Sequence, residues 1–163
     1  MSKNISCEID TSKIESLLSE LSDDIHNEIL MKGLKKGGDK LKENTQQIML
    51  QKVPFAGYAK GYANKTMVES IRVIKDRDYN EIIVSIMKNY LNIFFENGTT
   101  ERYRKLRGVK PNGKTYRKDN TQNGYTGKVE GYHFFKEARE NDSDVIDAIK
   151  ETIINEINKV YNK

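Results

Sequence analysis

The sequence predicts an α+β domain in which helices pack on a small antiparallel sheet. Three observations carry that expectation. A helical apolar period fills the first third of the chain, two Ile/Val-rich runs flank a turn in the middle, and a second apolar helix period closes the chain. With 163 residues and 36% hydrophobic content, one domain spanning 1–163 is expected, with residues 1–11 as an N-terminal tail.

Ser12-Lys13-Ile14-Glu15 has the form of a capping box. Ile14, Leu17, Leu18, Leu21 and Ile25 then recur at helical spacing, and the period continues through Ile29, Leu30, Leu34, Leu41 and Ile48. This predicts helix over residues 12–51, broken or re-aimed near Ser22-Asp23, which could cap a second segment. Gly33 and Gly37 stand one turn apart within it, and Gly38 follows. They provide either a notch for a closely approaching backbone or a kink. Pro54 ends the helix, and Gly57 to Lys65 reads as an exposed loop.

Ser70–Ile74 and Glu81–Lys88 are expected to form a β-hairpin, with Asp76 to Asn80 as its turn. A short helix over Tyr90 to Phe95 should stop at Asn97-Gly98. Residues 101–131 then lose apolar periodicity and read as a long loop or mobile hairpin, holding five glycines, Pro111, Tyr103, Tyr116 and Tyr125. Tyr132 to Phe135 is a third strand or a buried anchor. The last helix starts at Asp142 or Ser143 and carries Val145, Ile146, Ile149, Ile153, Ile154, Ile157 and Val160 on one face.

Charge is concentrated in one place. The chain has 28 Lys+Arg against 24 Asp+Glu, for a net charge of +4. Segment 101–131 alone contributes Arg102, Arg104, Lys105, Arg107, Lys110, Lys114, Arg117, Lys118 and Lys128 against Glu101, Asp119 and Glu130. Its charge of +6 leaves −2 for the remainder. Lysines and arginines neutralise phosphates and tyrosines stack on unpaired bases, so this segment is a candidate nucleic-acid surface. A solvated insertion, or a segment that orders on a neighbouring subunit, has the same composition.

Other chemistry is poorly supported. Gly108-Val109-Lys110-Pro111-Asn112-Gly113-Lys114-Thr115 matches the phosphate-binding loop pattern, but no apolar strand delivers it and no helical period follows it. Cys7 has no partner for an internal disulfide, which suits a reducing compartment, and Cys7, His26 and His133 are too far apart in sequence to suggest a metal cluster. His26 reads as a helix residue, His133 as a structural histidine among aromatics, and Asp76 and Asp78 as turn residues. Glu96, next to a helix end, has a place where burial could perturb it, but no partner group in view makes it a catalyst. We expect no enzymatic activity, cofactor or small-molecule substrate. No run of apolar residues reaches membrane-spanning length, and no signal peptide is expected.

The order of several short motifs resembles the phage tail-component family typified by gene product ten of phage HK ninety-seven. Val53-Pro54 stands where that family has Ala-Pro. Lys65 to Ile71 keeps the Ser70-Ile71 ending of Thr-Gly-x-Leu-x-x-Ser-Ile. Tyr90 to Phe95, with Phe94, leads into Glu96-Asn97-Gly98-Thr99, which keeps the Glu-x-Gly-Thr ending of aromatic-x-x-x-Glu-x-Gly-Thr after an aromatic run. His133-Phe134-Phe135-Lys136-Glu137-Ala138 matches Pro-Phe-Leu-x-x-Ala, with His in place of Pro. The resemblance covers roughly residues 12–160, and segment 101–131 is longer and more basic than the family's usual link. It implies a virion protein of the neck or upper tail, made in the host cytoplasm, that forms a ring of about six copies and meets adjacent neck and tail-tube proteins. Segment 101–131 would then reach a neighbour or face a lumen through which DNA passes. The other reading is a small nucleic-acid-binding protein using that segment.

Overall fold

The computed structural model describes residues 22–60, 64–76, 81–86, 89–103, 106–109, 111–112, 115–118 and 125–162. Cys7, the Ser12–Glu15 box, the first part of the expected 12–51 helical region, and Asp78 with the rest of the 77–80 turn lie outside these residues.

The first described helix, α1, runs Asp23–Lys52, with Ser22 in extended backbone as its N-cap. A helix segment thus starts where a cap was expected, at Ser22-Asp23, although the Ser22 side chain makes no capping hydrogen bond. Asp23 and Asp24 occupy its first turn and Lys52 its last, as the helix dipole favours. Strands β1 (Arg72–Asp76) and β2 (Glu81–Ser85) form the expected hairpin with shifted bounds, paired from Arg72↔Ser85 to Asp76↔Glu81: Ser70 and Ile71 precede β1, and Asp76 is a strand residue rather than a turn residue. Helix α2 spans Tyr90–Asn97, its first turn capped by the Asn89 side chain, which accepts from Leu91 N at 3.0 Å. Helix α4 spans Ser143–Tyr161. At its start the Asp142 carbonyl, not a side chain, accepts from Val145 and Ile146.

Two open readings are decided. Tyr132 to Phe135 supplies the buried anchor rather than a third strand: Phe134–Glu140 is a short helix, α3, and Phe134 at its start is fully buried. Of the loop and the hairpin read for segment 101–131, its described residues form hairpin pairings. It holds β3 (Arg102–Tyr103), β4 (Leu106–Val109), β5 (Thr115–Lys118) and β6 (Tyr125–Gly127), paired β3 with β6 and β4 with β5, both antiparallel. Among the described residues this makes, with the hairpin, three two-stranded pairings beside four helices, an α+β fold.

The glycines of α1 are contact surfaces, and the helix runs through them unbroken. A Cβ on Gly33 would stand 2.7 Å from Ile153 Cγ1, and one on Gly37 would stand 2.4 Å from Ile149 Cγ1. Successive contacts 33–153 and 37–149 run in opposite senses, so α4 crosses this notch antiparallel to α1. Gly38 points elsewhere: its Cβ would meet Ile82 Cγ2 at 2.7 Å and Val73 Cγ1 at 3.1 Å, both from the hairpin. One end of α1 packs Ile29 with Ile153 and Ile157. The other packs Met49 and Val53 with Ala56, Met67, Ile71 and Phe134. The apolar face read for α4 is buried at Ile153 and Ile157, whereas Ile154 and Val160 are exposed.

An ion cluster closes the α1–α4 seam. Lys32 Nζ lies 2.8 Å from both Glu28 and Glu156, and Lys159 also donates to Glu156. Hydrogen bonds from Lys159 and Lys32 lower the Glu156 carboxyl from 4.5 to about 2, while Glu156 and Glu28 raise Lys32. A depressed carboxylate adds stability above its unfolded value and loses it as pH falls through the folded value. Wild-type protein should therefore lose more stability than Glu156→Gln between pH 4.5 and about 2, read by denaturant unfolding at each pH. At the notch, Gly37→Leu should destabilise the chain by about 2 kcal/mol despite leucine's better helix propensity. Gly57→Ala, whose added methyl meets Leu50 Cδ2 at an ordinary 3.5 Å, should leave stability unchanged or slightly raised.

Candidate functional site

The motif residues gather around the junction of α2, α3 and the foot of the β-ribbon. Glu96, 7% exposed at the end of α2, accepts from Phe135 N at 2.8 Å and from Lys136 N at 3.0 Å. Its carboxylate thus satisfies first-turn donors of α3, where an anion also meets the helix dipole. The backbone repeats the connection, with Tyr132 N donating to Phe95 O and His133 N to Glu96 O.

Gly98 follows at φ 74°, and a Cβ there would lie 2.7 Å from Gly131 N and Val129 O. Only glycine allows both that torsion and that approach. Thr99 then holds the opposite segment twice, by Thr99 N to Val129 O at 2.8 Å and Val129 N to Thr99 Oγ1 at 3.1 Å. The Glu-Asn-Gly-Thr stretch is therefore a fastening. It ties α2 to α3 and closes the base from which β3 and β6 leave.

The remaining motif positions pack behind it. Ser70 Oγ donates to Met67 O at 2.6 Å and accepts from Asn92 Nδ2 at 2.9 Å. Asn92 also reaches Ile86 O at 3.0 Å, so one buried amide links the turn before β1, the end of β2 and α2. Thr66 and Glu69 cap the same turn reciprocally, Thr66 N donating to Glu69 Oε2 and Glu69 N to Thr66 Oγ1. The hydrogen bonds from Thr66 lower the Glu69 carboxyl below its usual value. Ile71, Phe134 and Ala138 are buried, Phe135 is half-buried, and Pro54 is exposed in the turn after α1.

Phe94 is not a core residue. It is 46% exposed and packs edge-on against the exposed Tyr90, with centroids 6.0 Å apart. Phe95 does the packing, against Phe55 at 4.7 Å and Tyr132 at 6.1 Å. The sequence reading missed Asn89, Asn92 and Phe95. An Asn one residue before the apolar run was an available cap signal, but nothing local marks Asn92 as a buried hub. His133 holds φ 49°, a torsion proline cannot adopt. This chain therefore enters α3 differently from a Pro-Phe-Leu sequence.

In the ribbon, Arg102 and Tyr103 fall in β3, Arg107 in β4, and Tyr116, Arg117 and Lys118 in β5. Arg104, Lys105, Lys110 and Lys114 lie outside the described residues. Tyr103 and Tyr125 face each other at 5.5 Å and both are exposed. Tyr103 also donates to Glu101 at 2.9 Å, which raises its phenol above the usual 10.0. Thr115, the end of the phosphate-loop-like sequence, opens a strand antiparallel to β4 rather than a helix. The arrangement lacks the helix N-terminus that such a loop presents to phosphate.

Among the described residues no group of three or more His, Cys, Asp or Glu could hold a metal ion, and no helix is long and apolar enough to cross a membrane. A groove of about 560 Å³ between α1 and the hairpin is floored by Met31, Val73 and Ile82 and rimmed by Lys35 and Lys75. Comparison with known protein families, curated proteins and solved structures finds no match.

Glu96→Ala should destabilise the chain by about 2–3 kcal/mol, because two amide donors lose a charged acceptor. Glu96→Gln, which keeps an acceptor, should cost clearly less. Denaturant unfolding of the pair measures the difference.

Proposed function

We propose that this chain is a non-enzymatic structural protein of a tailed phage or phage-tail-like particle. It completes or terminates the tail and joins it to the neck or head as a ring of about six copies. Its partners in this reading are further copies of itself and the adjacent neck and tail-tube proteins. Its place is the virion, after assembly in the host cytoplasm.

The observation that carries the reading is the mutual fit of the motif residues. Ser70, Ile71, Glu96, Gly98, Thr99, Phe134 and Ala138 resemble the tail-component pattern in order, and each has a role in one fastening or the core behind it. Closed rings also need two different contact surfaces on each subunit. Two separate apolar exposures suit that need. The hairpin pairs Ile74 with Ile83, 38% and 42% exposed, and α2 presents Tyr90 and Phe94, 54% and 46% exposed.

Light scattering should give a salt-resistant species near six times the 18.8 kDa chain mass, alone or on tail tubes. Ile74→Glu with Ile83→Glu should reduce it to the single chain while leaving helicity unchanged. A chain that stays single at every concentration, and also when mixed with polymerised tail tube, would contradict the proposal.

A further inference from the structure

Lysines without ion partners stand on one side of the body, and acids without ion partners stand on the other. Gly33 and Gly37 face α4, and Met31 and Lys35 each stand two residues from one of them, about 200° around the helix. The groove between α1 and the hairpin therefore lies on the side of α1 away from α4. Met31, Val73 and Ile82 floor it, with Lys35 on one wall and Lys75 on the other. Of the acids lining it, Glu28 is held by Lys32 and Asp39 is half-buried. Among the described residues neither Lys35 nor Lys75 makes an ion pair. The outer side of α4 has the opposite character. Asp147, Glu151, Ile154 and Asn158 recur at helical spacing and are exposed, away from Ile149 and Ile153, which pack on α1. Ile154 is 46% exposed, and Asp144 extends the acids by one turn. Among the described residues Asp144, Asp147 and Glu151 make no ion pair either.

We infer that the α1–hairpin groove of one copy of this chain receives the outer stripe of α4 from a second copy. Ile154 seats on Met31, Val73 and Ile82, and Asp147 and Glu151 pair with Lys35 and Lys75. Charge selects this occupant: lysines on one surface meet acids on the other, around an apolar anchor and an apolar floor. The lengths agree as well. From Asp147 to Asn158 the stripe rises about 16 Å, and the α1 residues lining the groove, Asn27 to Asp39, rise about 18 Å. Helix α2 answers the lysines less well, because Glu96, its one charged side chain, is buried. Groove and stripe lie on opposite sides of α1, so the contact is heterologous and adds copies head to tail. It rests on the ring reading only for closure. The hairpin wall places it beside Ile74 and Ile83, on the other face of the same strands.

Charge reversal tests the contact, read by light scattering of the full-length chain over a concentration series. Wild type should associate. K35E/K75E and D147K/E151K should each weaken association at least tenfold, with helicity unchanged by circular dichroism. An equimolar mixture of these two variants should associate like wild type, because each groove then meets a stripe of opposite charge. I154D should weaken association to a similar extent. Association that survives both reversals, or loss that the mixture does not restore, overturns the proposal. So does a chain that stays single at every concentration, or association that Phe94→Glu breaks and the reversals do not. If I74E/I83E alone breaks a species near six copies, the ring stands and this contact falls. If the reversals and their mixture behave as expected but the species is not near six, this contact stands and the ring falls.

Discussion

Everything in the body depends on how closely two elements approach α1 at adjacent glycines. Gly37 and Gly38 point to different sides of one helix, the first toward Ile149 of α4 and the second toward Ile82 and Val73 of the hairpin. A methyl at either position meets a neighbouring side chain below 3.0 Å. The three glycines weaken the helix by about 1 kcal/mol each relative to alanine. Close packing along both sides offsets that loss, and Ile153 and Ile157 are buried as a result. The helix is thus the middle layer of the molecule, not one wall of it.

A second constraint sits at the far end of α1. Lys52 pairs with Glu137 of α3 and reaches Tyr132 O, while Glu96 holds the first turn of the same helix from the other side. A seven-residue helix is too short to be stable alone. Its position is fixed by the fully buried Phe134 and by the Glu96 carboxylate. Because Gly98, Thr99, Val129 and Gly131 close beside it, the ribbon leaves a base held by backbone hydrogen bonds.

The legible parts of the fold were those whose burial repeats at a fixed period. Ile153 and Ile157 mark α4, and Val73 and Val84 mark the hairpin face turned to α1. The Gly33/Gly37 spacing pointed to a notch or a kink, and only three-dimensional contact with Ile149 and Ile153 separates the two. The ribbon was legible only as a loop or hairpin, without strand bounds, because Arg107 opposite Arg117 and Gly108 opposite Tyr116 follow no apolar alternation. The α3 helix was illegible because its stability comes from Glu96, 39 residues earlier than Phe135. Glu96 itself stood out as a carboxylate beside a helix end, yet its role lies in what it holds.

The ribbon meets the body at the base closed by Gly98, Thr99, Val129 and Gly131. Amide hydrogen exchange of the free chain tests this junction most directly. Amides of α1 from Gly33 to Thr45 and those of α4 around Ile149 and Ile153 should exchange together, with the free energy of global unfolding. Amides of β4 and β5 should exchange by a separate and easier opening. A single exchange free energy shared by ribbon and body, or exchange of α4 well ahead of α1, would contradict the account.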